Sequence, residues 1–157
     1  MSRITTDPGE RAGVYKHIND VPDRYRLYHH ATAYDGRDVW EEYLTEDFFE
    51  KFDSDYTREV THRAGDDWKG HMEDRGRHHA LATPKDVETW CTALFERMQV
   101  DSAYRNYWPK LERFYTWLQT HTEHPHVYHP FRMAAAEYPS AGVIWEQKIN
   151  SWEGRDE

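Results

Sequence analysis

Seven basic side chains in the middle of the chain have the types and spacing of a phosphate-contacting set. Arg58 and Lys69 recur with His62 on one face of a helix, and Arg75 and Arg77 flank the turn that follows. Arg105 stands at the start of a later helix, where Lys110 and Arg113 share a face with Trp117. Guanidinium forks and ammonium groups presented from two packed helices can grip phosphate oxygens. Such contacts fix a protein on a nucleic acid without reading its bases. The competing reading is a solvated surface of ion pairs, because Glu59, Asp66, Glu73 and Glu112 are interleaved with these cations.

Other residue types invite other chemistry. His78 and His79 are adjacent, and His121, His124, His126 and His129 crowd together beside Glu123. A metal needs ligands that converge from fixed elements, and here there is no neighbouring cysteine and no His-Glu-x-x-His. The expectation is packing, capping and loop hydrogen bonds, with no metal and no cofactor. His129-Pro130-Phe131-Arg132 followed by Tyr138 reads as a turn and a short helix, so no catalytic residue is assigned. Cys91 lies between Trp90 and Leu94 on an apolar stripe, which predicts a buried structural thiol.

The composition sets what must hold these residues. Mean hydropathy is −1.07 and only 38% of residues are hydrophobic, yet 15% are aromatic, so a few large rings must build the core. No run approaches the length of a membrane span, and the opening Met-Ser-Arg-Ile-Thr-Thr-Asp-Pro-Gly has no apolar stretch. One cysteine excludes an internal disulfide framework. A cytoplasmic protein without membrane contact is expected. The net charge is −9, with −6 in residues 1–55, −1 in 56–124 and −2 in 125–157. Acid in such excess opposes nucleic-acid binding unless the basic groups of the middle segment cluster on one face.

The spacing predicts helices throughout and no strand. A short helix is expected from Pro22 to Ala33, then a turn at Asp35-Gly36. Trp40, Tyr43, Leu44 and Phe48 form one stripe of a helix over 38–52, and Asp53-Ser54-Asp55 offers caps for the next. Val60, Ala64, Trp68 and Met72 repeat every four residues up to the stop at Gly76. Thr83-Pro84-Lys85-Asp86 starts the most regular helix, with Val87, Trp90, Cys91, Leu94, Phe95 and Met98 inward. Asp101-Ser102 is expected to cap another, with Tyr107, Leu111, Phe114 and Leu118 inward and an interruption near Trp108 from Pro109. Short helices over 131–137 and from Pro139, with Trp145, Ile149 and Trp152 inward, complete the chain. Trp68, Trp90, Leu94, Leu111, Phe114 and Leu118 are the expected buried centre. Three parts are expected: a tail with accessory helices over 1–55, a helical domain over 56–124 and a helical extension over 125–157.

Residues 56–124 resemble the core-binding, SAM-like domain of tyrosine recombinases and phage integrases. The resemblance lies in Thr57-Arg58 opening a helix that holds Trp68-Lys69 and Met72, and in the turn from Gly76 to Ala82. It continues in Thr83-Pro84-x-Asp86-Val87-Glu88-x-Trp90. It closes with Ser102-x-Tyr104-Arg105-Asn106-Tyr107-x-x-x-Leu111-x-x-Phe114-x-x-Trp117-Leu118, where Tyr104 replaces a usual Thr. The acidic composition and the run from Trp117 to His126 are similar to integrase-like proteins of salt-loving archaea and their viruses. The resemblance implies a four-helix module within an all-α bundle that clamps double-stranded DNA, without the catalytic domain that follows it in that family. It implies a non-catalytic regulator or accessory of a mobile element, contacting DNA through Arg58, Lys69, Arg75, Arg77, Arg105, Lys110 and Arg113. The alternative is a protein–protein interaction module or homo-oligomer that keeps the fold without binding DNA.

Overall fold

Four tryptophans, Trp40, Trp68, Trp90 and Trp108, have no more than 1% of their surface exposed, and the helices are arranged to bring them together. The computed structural model describes residues 5–155, with the side chains of 152–155 outside that description. Every regular element among these residues is helical. They run as α1 (Pro8–Arg11), α2 (Ala31–Tyr34), α3 (Val39–Tyr43), α4 (Phe49–Lys51) and α5 (Asp55–Asp74), then α6 (Pro84–Phe95), α7 (Val100–Asn106), α8 (Trp108–Thr120), α9 (Pro130–Glu137) and α10 (Pro139–Arg155). No helix among them is long and apolar enough to cross a membrane.

Local chemistry explains most boundaries. Ser54 caps α5 by accepting from the Thr57 amide. At the other end Gly76 takes φ 74°, and the Gly76 and Arg77 amides donate to the Glu73 and Met72 carbonyls. That pair of bonds is a Schellman stop, and the positive φ suits glycine. Thr83 and Asp86 close a reciprocal capping box on α6. Pro109 at the start of α8 follows a break at Tyr107, as its missing amide demands. A π-helical turn over Leu44–Phe48 joins α3 to α4 and keeps Tyr43, Leu44 and Phe48 inward.

Two expectations fail locally. Pro22 to Ala33 does not form one continuous helix, and only its last three residues, from Ala31, enter α2. It forms 3-10 turns at Asp23–Tyr25 and Leu27–His30 separated by extended Arg26, and Tyr25 and Tyr28 are exposed. Without an apolar stripe to bury, so short a segment does not offset helix nucleation. α7 is not capped by Asp101-Ser102, because Gln99 occupies the cap position and makes no side-chain bond. Asp101 sits within the first turn and takes Arg105 instead. Trp152 lies outside the described side chains.

One aromatic core runs from Ala12 to Trp145. Trp68, Trp90, Leu94, Leu111, Phe114 and Leu118 are fully buried. Trp40 meets Phe114 edge-on at 5.2 Å, Trp68 meets Trp90 at 5.1 Å, and Trp108 meets Phe131 at 5.1 Å. These are the edge-to-face distances that aromatic quadrupoles favour. α10 lies across α9, α7 and α6, while α5 lies against α8, α6 and α7. The N-terminal segment joins the same core through Val21, Leu27, Tyr34 and Trp40.

The α5–α6 connection turns inward at its end, where Ala80, Leu81 and Ala82 are buried, so its backbone needs partners that water would otherwise supply. Side chains provide them. Trp68 and Tyr115 both donate to the His79 carbonyl at 2.8 Å, His126 binds the Ala80 carbonyl at 2.6 Å, and Tyr128 donates to the Ala82 carbonyl at 2.9 Å. The Ala82 amide donates to the Tyr115 hydroxyl.

Candidate functional site

The seven basic residues separate into two groups. Lys69, Arg75 and Arg77 lie in the C-terminal part of α5 and just beyond it, and each holds a carboxylate. Lys69 pairs with Asp38 at 2.8 Å. Arg75 and Arg77 both bind Asp86, at 2.5 and 3.0 Å. Asp86 has no exposed surface and also accepts from the Thr83 amide and hydroxyl. The acids adjacent in sequence are not the partners. Asp38 and Asp86 arrive from α3 and α6.

These three line a cleft of 1110 Å³ between α5, the turn after it and the N-terminal segment. The two further cations of its wall are also engaged. Arg37 binds Glu42 through two nitrogens at 2.8 Å, and Arg26 donates to the Ile18 and Val21 carbonyls. Asp35, Asp38 and Glu73 share the wall, so the larger cleft presents little unbalanced charge.

Of the remaining four, Arg105, Lys110 and Arg113 gather elsewhere, and Arg58 is not in the wall of their cleft. Arg58 and Arg75 are separated by about 25 Å along α5, at ~1.5 Å per residue. Near the N-terminal end of α5, a second cleft of 650 Å³ is lined by Arg105, Lys110, Arg113, Arg132 and Lys148 against one carboxylate, Glu112. Phe48, Phe52, Tyr56 and Val60 form its apolar side.

Each cation there is positioned differently. Arg113 lies over the Phe52 ring, 5.0 Å from its centroid, and Arg58 lies over Phe49 at 4.3 Å. Neither has a carboxylate within salt-bridge distance among the described residues. Among the described residues Arg105 has only an exposed i,i+4 pair with Asp101, a type worth little in water. Lys110 is half-buried and makes neither a hydrogen bond nor an ion pair with its ammonium among the described residues. Burial holds its pKa below the ordinary lysine value.

Glu112 forms the floor. Only 5% of it is exposed, and it accepts from Trp108 at 2.8 Å, from Lys148 at 2.9 and 3.1 Å and from Arg132 at 3.3 Å. Burial pushes its carboxyl up, but Lys148, His129 and Arg132 together outweigh burial and the carboxyl lies below its ordinary pKa. Two cations on one carboxylate leave the floor positive.

The histidines serve the fold. His124 shares a 2.6 Å hydrogen bond with Tyr34, and His126 is tied to Ala80. His129 caps α9 and lies 3.0 Å from the Glu112 carbonyl. No group of three His, Cys, Asp or Glu among the described residues is placed to hold a metal. Arg132 of His129-x-x-Arg132 is bound to Glu112, and Lys85 lies over the Tyr138 ring. Cys91 is buried, and burial pushes its thiol pKa up.

The sequence pointed to Arg105, Lys110 and Arg113 but not to Arg132 and Lys148 as their companions. Lys148 is an isolated lysine in α10, and its partner Glu112 is 36 positions away, so no local spacing joins them. Comparison with known proteins finds no family model, no curated relative and no solved structure that matches the chain.

Proposed function

We propose that the chain is a non-catalytic DNA-binding protein acting beside a mobile element, a reading supported by the sequence resemblance of residues 56–124 to the core-binding domain of tyrosine recombinases. In this reading Arg58, Arg105, Lys110 and Arg113 make the phosphate contacts. Lys69, Arg75 and Arg77 brace α3, α5 and α6. One observation carries the proposal: five cations against one carboxylate surround a single cleft in a chain of net charge −9. Charge of one sign concentrated in a concave site focuses an anion there even when the whole molecule repels it.

The test is a salt titration of binding to a short blunt-ended duplex, read by fluorescence anisotropy. The parent binds at low salt. Lys110→Glu and Arg113→Glu weaken binding on every sequence, and each lost contact flattens the salt slope by about one unit. Lys69→Glu changes it much less. Absence of binding by the parent at low salt overturns the proposal, as does parent-like binding by the Lys110→Glu/Arg113→Glu pair. The protein-partner alternative then takes over, because exposed Phe52 and Tyr56 form an aromatic rim beside the cleft.

A further inference from the structure

A duplex is too wide to enter the recess between α5 and α8 and can only rest on its rim. The recess nevertheless holds features that a rim contact leaves unused. Its 650 Å³ falls within the range of small-molecule sites, about 300–1,000 Å³. Lys110 projects into it with no anion of its own, on the same face of α8 as Arg113. Opposite them, Tyr56 is 72% exposed in the first turn of α5. Its ring contacts no other aromatic ring, and its hydroxyl makes no hydrogen bond, among the described residues. An unpartnered cation facing an unpartnered aromatic ring is the pair of groups that a nucleotide satisfies, phosphate on one and base on the other.

We propose that this recess receives one unpaired nucleotide of a bound DNA strand, its base stacked on Tyr56 and its phosphate held by Lys110 and Arg113. The inference rests on the DNA-binding reading and deepens it: the preferred ligand is a duplex with a single-stranded extension or an extruded base. Phe52 cannot provide the platform by itself, because Arg113 already covers it and Phe48 lies 5.0 Å away. Tyr56 has no such neighbour. Stacking is tolerant of base identity, since every base has a π-face, so the preference is for structure over sequence.

The experiment compares a blunt duplex, the same duplex with a short single-stranded extension, and a free deoxynucleoside monophosphate, against the parent, Tyr56→Ala, Tyr56→Phe and Lys110→Met. The parent is expected to bind the extended duplex at least about fivefold more tightly than the blunt one. Tyr56→Ala removes that preference while keeping blunt-duplex affinity and the melting temperature, because the ring is exposed. Tyr56→Phe keeps the preference, which separates stacking from hydrogen bonding. Lys110→Met weakens the extended duplex more than the blunt one. Equal binding of the two duplexes by the parent, or an unchanged preference in Tyr56→Ala, overturns the subsite and leaves the duplex reading standing. Binding of neither duplex overturns both. Capture of the free nucleotide alone, lost in Lys110→Met, overturns the DNA reading and retains the recess as a site for a nucleoside phosphate.

Discussion

Gly65 in α5 faces the indole of Trp40 so closely that a side-chain carbon there would overlap the ring. α5 therefore lies against α3 backbone to ring. A glycine inside a helix ordinarily costs about 1 kcal/mol relative to alanine. Here that cost allows Trp40, only 1% exposed, to reach Phe114. Gly65→Ala should therefore destabilise the protein despite its better helix propensity. Overpacking of about 1–3 kcal/mol lowers the melting temperature by roughly 2–10 °C in a domain of this size. A melting temperature equal to or above the parent's would show that Trp40 has room to move.

The same pair marks what the sequence made legible. The stripe containing Trp40, Tyr43, Leu44 and Phe48 was readable from spacing, and its side chains are buried. So were the stop at Gly76, the capping box at Thr83 and the break near Trp108, because each is set by neighbours a few residues away. Nothing in the local spacing marked Gly65, since the reason for it lies 25 positions upstream. The ion pairs were hidden for the same cause. Asp38 reaches Lys69 and Asp86 reaches Arg75 through tertiary packing, and helical spacing offered Glu73 and Asp66 instead.

Asp86 joins the capping box of α6 to Arg75 and Arg77 while having no exposed surface. Removing one partner of such a group leaves uncompensated polar atoms behind, a change that costs about 3–5 kcal/mol. Asp86→Ala should fall in that range when unfolding is followed in urea. Asp86→Asn, which retains an acceptor for the Thr83 amide, should recover part of the loss. Arg77→Ala should cost much less, because its side chain is 42% exposed. Equal losses for Asp86→Ala and Arg77→Ala would place the stabilisation in the exposed pair and not in the buried carboxylate.

Acid should unfold the protein through its histidines. Burial first, and neighbouring positive charge second, lower the pKa of His79 to about 3 and of His129 to about 3. Burial lowers that of His126 to about 4, against the opposing pull of its bond to Ala80. The unfolded chain binds these protons near pH 6.5, so it takes up more of them than the fold as pH falls. The stability they contribute is complete above about pH 6.5 and is lost progressively on acidification. At about pH 5 each ring costs about 2 kcal/mol, and three together approach the whole stability of a typical domain. Denaturant unfolding at about pH 7, 6 and 5 should show this decline. His126→Gln, which keeps a donor for the Ala80 carbonyl but does not titrate, should flatten it by about a third. Constant stability from pH 7 to 5 would mean that the rings take up protons inside the fold.

Glu112 links stability and binding in opposite directions. Its carboxylate neutralises part of the charge of Arg132 and Lys148 at the floor of the cleft, and it ties α8 to α9 and α10. Glu112→Gln preserves the shape and removes the charge. The fold then loses the carboxylate beside Arg132 and Lys148, whose side chains are only 18% and 14% exposed, and the expected loss is about 3–5 kcal/mol in urea unfolding. The cleft, meanwhile, gains one unit of positive charge next to Lys110. At a temperature where the variant stays folded, a blunt duplex should bind it more tightly than the parent at low salt. That advantage should shrink as salt is raised, because the duplex rests on the rim and its attraction to the added charge acts across screening solvent. A variant that is less stable and also binds more weakly would mean that the cleft's shape matters more than its charge. In that case the phosphate contacts would lie on the outer surface of α5, at Arg58, and not around Glu112.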